Sequence, residues 1–543
     1  MSGRLNAVCA IPFALTILLA ACRAETPSTA PASISSPSPT HVATPTPEPT
    51  PRALRPDETD WARVPFEAGL RDPYGGGWAN AVAAGPRRVV IVGQVATGAA
   101  AWFSGDGLSW QRATGPAAWR DASLSDVAVV GDGFLAVGGS SGPDGDTGGQ
   151  AWASTDGETW RPVSSVPRAS GGFGRLAVVD GTLFATGRDP GRVAVWSSAD
   201  GGASWRERRV ADAEADLLAL GAGPDGSVIA AGAFFKAATG WHAGAFRSLD
   251  GGVTWTEADV GGAIGGAIAD IVATREGLVA VGMVEHGAAA WTSADGAAWE
   301  LAPGGDGDVG AFDAAMRAAA VAADGRIVAA GIGPDGQLAA WWSDDGRAWA
   351  RSSADGPSGD FAGLYDVTDV AFAAGRPLLV GSYPDGPRGV SAAVWSRPRG
   401  DVPPEPTPGV VACPGSAPDL VALIELSTAD RLRCYAGSPV TVLAYLAPFP
   451  ADDGDFVPPE PRWLAWYDAA VLALPIDRYR YAVLSLTVHV DPHSPLIGTV
   501  GVDQWAVLTG IFDHRAAADC PADLVEACRG EFVLTRVRFT PPP

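Results

Sequence analysis

Six times between residues 104 and 349 the chain writes Ser, then Asp-Gly two places on, then Trp three or four places beyond the Gly. The aspartates are Asp106, Asp156, Asp200, Asp250, Asp295 and Asp345, spaced 44 to 50 residues apart. An aromatic stands two places before each Ser: Trp102, Trp152, Trp196, Phe246, Trp291 and Trp341. Asp-Gly between apolar runs is a hairpin turn, because Gly accepts positive φ and Asp can hydrogen-bond its own turn backbone. The flanking aromatics then belong to the two strands that the turn joins.

A second theme lies between the turns, an apolar run closing on Gly. Val89-Val90-Ile91-Val92-Gly93 and Leu278-Val279-Ala280-Val281-Gly282 are examples, and Gly138, Gly187, Gly232, Gly331 and Gly381 complete seven copies. A unit of roughly 40–50 residues with four short strands is the period of a propeller blade. The 69 Gly and 45 Pro in 543 residues suit short strands and tight turns better than long helices. In the second blade the strands are expected at Asp126–Val130, Phe134–Gly138, Gln150–Ser154 and Thr159–Val163.

Seven Gly-ended strands against six turns leave one blade short. Its third strand ends at Trp395-Ser396, and no Trp strand follows before Pro403. An orphan, Asp60-Trp61-Ala62-Arg63-Val64, precedes the first blade and matches the strands that follow the turns. An open ring would leave strand edges unpaired, so the N-terminal segment is expected to complete the last blade. The fold class is therefore all-β: a seven-bladed β-propeller over 58–399, closed by an N-terminal strand.

The repeated turn resembles the Asp box of sialidase-type propellers, in which it is structural and joins the last two strands of a blade. The six aspartates are expected to have that structural role. Sialidases also hold a substrate carboxylate with three arginines, one opening an Arg-Ile-Pro motif, and use a Tyr nucleophile paired with Glu. No Arg-Ile-Pro occurs here, and Tyr74, Tyr365 and Tyr383 lack a convincing Glu neighbour. No catalytic residue is assigned. Asp-rich loops such as Asp144-Gly145-Asp146 do not have EF-hand spacing and read as solvated turns.

At the N-terminus, Arg4 precedes an apolar run over 10–20 that ends in Leu19-Ala20-Ala21-Cys22. So short a run with small residues at its end reads as a signal peptide, here 1–21, rather than a membrane span. Leu-Ala-Ala-Cys resembles the bacterial lipobox, which implies lipidation at Cys22 and an extracytoplasmic, lipid-anchored protein held by acyl chains alone. Residues 22–57 are rich in Pro, Ser and Thr and read as a solvated tether.

After a Pro-rich linker at 400–411, residues 412–543 change in character. Two short helices, 418–426 and 429–434, precede five strand patterns, at 440–446, 471–474, 483–490, 505–512 and 532–539. Five strands in so short a span suggest a small barrel, OB-like. The stretch from Gln504 to His514, with Cys520 and Cys528 after it, loosely resembles an uncharacterised extracellular domain of bacterial lipoproteins. Cys413, Cys434, Cys520 and Cys528 read as two disulfides in an oxidising compartment. Three pairings are open, and sequence proximity favours Cys413 with Cys434 and Cys520 with Cys528. Zinc held with His489, His493 or His514 is the alternative, although no Cys-x-x-Cys pair is present. No cofactor or metal is otherwise indicated.

A net charge of −23 argues against nucleic acid or anionic headgroups as partners. Binding is the better-supported class, by a monomer, with a protein or glycan as ligand. The loops opposite the turns vary in length, which is where function concentrates. Arg71, Tyr74, Trp119, Arg120, Phe234, Phe235, Trp241, His242, Tyr383 and Arg388 are the candidate contacts, since exposed aromatics with arginines suit sugar stacking or a protein hot spot. Non-enzymatic Asp-box propellers, such as the photosystem II assembly factor and sortilin-like receptors, imply the same role. An exo-acting, sialidase-like glycoside hydrolase with an unrecognised carboxylate pair is the alternative.

Overall fold

The structure, a computed structural model, describes residues 55–541 with interruptions, the longest at 304–313, 353–365, 405–412 and 448–460. Cys22, Tyr74, Asp144, Asp146 and Arg388 lie outside the described residues. Seven four-stranded antiparallel sheets follow one another along the chain, six with their strands in sequence order, and one of these gains a fifth short strand in parallel. Their innermost strands are Trp78–Ala84, Ala122–Val130, Phe173–Val179, Ala215–Ala222, Ala267–Ala273, Ala315–Val321 and Asp366–Ala373. This is the seven-bladed β-propeller that the two repeats imply.

The last blade is completed by the N-terminal strand: Ala62 pairs with Ser396 and Arg63 with Trp395. The blades' strands run longer than their apolar cores suggest. In the second they are Ala122–Val130, Gly133–Ser141, Thr147–Ser154 and Arg161–Val166. Among the described residues the apolar side chains form no single central core. Seven apolar clusters each join two adjacent blades, as where Val82 and Ile91 of the first meet Leu378 and Val394 of the last. The aromatics before the turn motifs fill these seams: Trp102, Trp152, Trp291 and Trp341 are at most 1% exposed, as is Trp395 at the equivalent place in the last blade.

The turn motifs are built alike. Ser104 Oγ accepts the N–H of Gly107 at 2.8 Å, Asp106 Oδ1 accepts those of Leu108 and Ser109, and Trp110 Nε1 donates to Gly107 O. In the longer copy, Ser248 Oγ accepts from Gly252, Asp250 accepts from Thr254 and Trp255 Nε1 donates to Gly252 O. These donors hold Asp250 and Asp200 near pKa 2, through the hydroxyl and N–H of Thr254 and of Ser204. Every donor to these carboxylates belongs to its own turn, which is a structural use of the charge.

The Gly-ended strands have an equally local cause. On each innermost strand the pairing slips at a bulge, as between Leu124 and Asp126, Ile268 and Asp270, and Val367 and Asp369. The Gly opposite receives the bowed backbone. A Cβ on Gly138 would stand 1.9 Å from Ser123 O, and one on Gly282 2.0 Å from Ala267 O. Bulges re-aim side chains, and here they turn residues of the innermost strand onto the axis.

The C-terminal unit contains helices Leu420–Glu425 and Thr428–Tyr435, capped by Asp419 and Ser427. Its strands Pro439–Ala447, Trp466–Pro475, Tyr481–Val490, Gln504–Ile511 and Phe532–Phe539 close on themselves. In order of pairing they run first, second, third, fifth, fourth and back to the first, with the third and fifth parallel. The second strand extends well beyond its expected Val471–Leu474, and a helix at Val525–Arg529 was not anticipated. Cys413 bonds to Cys434 and Cys520 to Cys528. Those bonds remove the thiolates that zinc would need. Among the described residues no group of metal-ligating side chains is found, and no helix is long and apolar enough to cross a membrane.

Candidate functional site

The bulges place four ionisable side chains at one equivalent position: Asp126, Arg175, Asp270 and Asp369, in blades two, three, five and seven. Each stands 12 residues ahead of its blade's Gly, at 138, 187, 282 and 381. Asp369 and Asp270 both act on Asp126 or Arg175 although their blades are not all neighbours. Such groups can meet only at the axis.

The three carboxylates are bonded identically. Asp126 Oδ1 accepts the N–H of Val127 and Oδ2 that of Leu176, both at 2.7 Å. Asp270 bridges Ile271 and Ala319, and Asp369 bridges Val370 and Val82, at 2.7 to 2.9 Å. Each therefore joins its own innermost strand to that of the next blade. Those strand edges face the axis and carry N–H groups with no ladder partner, so the carboxylates satisfy donors that would otherwise be left open.

Other polar side chains make the same forward step. Asn80 Nδ2 donates to Leu124 O, Arg175 Nε to Leu218 O, Arg317 to Asp366, and Thr368 Oγ1 to Ala79 O. Between blades four and five the junction is apolar, with Ala219 packed against Ile268 and Ile271.

Burial raises all three carboxylates above the usual 3.8. It holds Asp126 near 6 against the pull of Arg175, and Asp270 is raised with Arg175 again opposing. For Asp369, burial and the like charge of Asp126 lift it to about 8. Burial alone would lower Arg175, but the three carboxylates outweigh it and raise its pKa. At neutral pH the axis thus keeps its arginine charged and a proton on Asp369.

Sequence reasoning singled out none of these four residues. Their fixed distance from the Gly was the signal available.

The candidate contacts on the loop side divide. Phe235 and Trp241 face each other across the second hairpin of blade four, 41% and 40% exposed, with rings 5.7 Å apart and edge-on. Lys236 beside them pairs with Glu257. Ile264 is 58% exposed next to this hairpin, bridged to His242. Arg71 and Arg120 are exposed on segments flanking the first blade. Trp119, Phe234 and His242 differ from expectation, since all three are buried. Trp119 sits in a 3-10 helix against Trp160, and Phe234 packs on Phe246 and His242. Tyr383 is partly buried, with Arg63 over its ring and Trp395 at its edge. The aromatic count of a loop does not tell which rings its own blade will use as packing.

On the turn side, a cavity of about 340 Å³ lies among Arg55, Arg275, Asp324, Arg326 and Asp344. Its cations are already engaged: Arg55 with Asp344, Arg326 with Asp324, and Arg275 with Ala323 O.

No family model matches the chain, and no curated protein matches it. Three solved structures illustrate the similarities that exist. A putative 6-phosphogluconolactonase from Bacteroides uniformis is 13% identical with a TM-score of 0.39, over 56% of this chain and 94% of that one. The sialidase of Trypanosoma rangeli is 12% identical with a TM-score of 0.32, over 59% and 55%. PorZ of Porphyromonas gingivalis, described as an essential surface component of the type-IX secretion system, is 12% identical with a TM-score of 0.36, over 65% and 40%. At these values no site, substrate or partner is carried from them to this chain.

Proposed function

We propose that the chain is an extracytoplasmic binding or scaffold lipoprotein, anchored through Cys22, whose propeller takes a protein or glycan on the hairpin side. One observation carries this reading: Phe235 and Trp241 form an exposed aromatic pair on the side opposite the turn motifs. Exposed rings that do not serve the fold fit recognition better than packing. The turns are then read as Asp boxes and the C-terminal ring, from its strand order, as an OB-fold.

The alternative, an exo-acting glycoside hydrolase, draws on the axis, where one carboxyl holds a proton beside others that ionise more readily. Against it, every axial carboxylate oxygen already accepts a backbone N–H, which suits a structural staple.

A photo-crosslinking residue placed at position 241 should give adducts on intact cells, and one at Leu249, exposed on the turn side, should give none. Equal labelling at both positions would defeat the binding assignment. Turnover of any fluorogenic glycoside that Asp369→Asn abolishes would favour the hydrolase. For the anchor, labelling with a palmitate analogue should be lost in Cys22→Ala, and a persistent label would refute lipidation there.

A further inference from the structure

The C-terminal ring leaves one outward face open. On Pro439–Ala447, Val442 and Ala444 point into the core at no more than 1% exposure, as do Ala506 and Leu508 on Gln504–Ile511. Alternation therefore turns Leu443, Tyr445, Trp505 and Val507 outward. Leu443 stands directly opposite Val507, and Tyr445 opposite Trp505 with the rings 5.9 Å apart. On the neighbouring strand Arg538 is opposite Val507, and Arg536 is two residues away on the same side. Leu443 is 41% exposed, and a groove of about 560 Å³ runs over Thr441, Leu443, Trp505 and Val507, walled on its other side by 417–421.

Both guanidiniums are exposed, and among the described residues neither has a hydrogen bond or ion pair. Elsewhere in the chain Arg55, Arg247, Arg326, Arg347, Arg376 and Arg529 all meet carboxylates, the pairing that an acidic partner would offer here. An aliphatic floor, an aromatic end and a cationic edge thus lie side by side.

We propose that this face docks a partner protein through a segment presenting one large apolar side chain flanked by carboxylates. The arginines supply paired, directional contacts to carboxylates. Trp, Tyr and Arg are the residue types that dominate protein-binding hot spots. A sugar fits less well, because Leu443 and Val507 offer nothing to its hydroxyls, whose desolvation would go uncompensated.

The test is a fluorescence-anisotropy titration of the full chain with a labelled peptide in which leucine is flanked on both sides by paired aspartates. Saturable binding is expected, weakened about tenfold or more in Arg536→Glu/Arg538→Glu and when the peptide aspartates become asparagine. Leu443→Asp should cause a similar loss with melting unchanged, since the position is exposed. Absence of binding, or binding indifferent to both arginines, would overturn the site. Displacement of the peptide by oligogalacturonate would replace the protein partner with an anionic glycan. Self-association that vanishes in the double variant would make a second copy the occupant, and so would also overturn the proposal.

Discussion

Asp369 Oδ2 accepts the backbone N–H of Val82 at 2.8 Å, across 287 residues of chain, and ties the last blade to the first at the axis. At the rim the same two ends of the propeller are joined by Ala62 and Arg63 pairing with Ser396 and Trp395. Closure therefore has two devices at different radii. The outer one continues a sheet, and the inner one satisfies a donor on a strand edge that has no further strand to pair with.

The inner device makes stability depend on pH in a direction opposite to that of the turns. Asp369 near 8 and Asp126 near 6 are raised above 3.8, so the folded protein keeps protons that the unfolded chain has released. Their contribution is full below the unfolded value and is lost as pH rises through the folded ones. Asp200 and Asp250, near 2, contribute above the unfolded value and lose that only as pH falls toward 2. Calorimetry should show Tm falling from about pH 4 to about pH 8, between the unfolded and folded values. Asp369→Asn should lower Tm at the acid end, since an amide cannot accept from both Val82 and Val370, and should flatten the alkaline decline. A wild-type Tm that rises toward pH 9 would refute this account.

The Gly opposite each bulge should be intolerant of any side chain. In Gly282→Ala the new Cβ would stand 2.0 Å from Ala267 O, so strand or bulge must shift, at roughly 1–3 kcal/mol as overpacked sites do. Gly131 is the control: its φ of 60° is strained for alanine, but no atom lies within 4 Å of the added Cβ. There the cost should stay near 1 kcal/mol. Urea midpoints compare the two, and equal losses would mean that the close backbone approach is not what selects Gly282.

Much of this was legible because it repeats. The Ser, Asp, Gly and Trp of six turns, seven Gly-ended strands and the orphan around Trp61 were enough to count the blades and foresee the closing strand. What Gly282 and its counterparts are for was not legible, since the cause is a carbonyl on another strand, not a turn of their own. The axial residues were missed for a related reason. Asp126, Asp270 and Asp369 look like any polar residue preceding a β-branched one, and only a bulge turns that position inward. Burial of Trp119 was hidden because its seat is made by Gly115, where a Cβ would stand 1.9 Å from the indole, and by Trp160 of the next blade.

Trp61 should matter more than its place at the edge of the fold suggests. It is 2% exposed, its ring lies 6.3 Å from that of Trp342, and Nε1 donates to Ser352 Oγ. Trp61→Ala should cost about 3–5 kcal/mol, the usual loss for a large buried ring. It should also raise light scattering, because loosening this strand bares the edge at Ser396. Urea denaturation checks the first effect. A loss below about 1 kcal/mol would mean that the closing strand is dispensable.

Trp119 and Trp241 are the sharpest pair for separating packing from recognition, because both belong to the connections on the hairpin side and only their burial differs. Trp119 is 6% exposed within the seam between blades one and two, whereas Trp241 is 40% exposed beside Phe235. Trp119→Ala opens a void that its neighbours cannot fill, so it should lower stability by about 3–5 kcal/mol. Trp241→Ala removes a ring that already meets water over much of its surface and should change stability by less than about 1 kcal/mol. Thermal melts of the two variants give that contrast. The recognition half is read on cells with the crosslinker moved to position 235, so that position 241 is free to vary. Adducts seen with Trp241 in place should be lost in Trp241→Ala and persist in any Trp119 variant that still folds. Undiminished adducts in Trp241→Ala would show that the exposed pair serves no partner, and would leave the binding reading without its principal support.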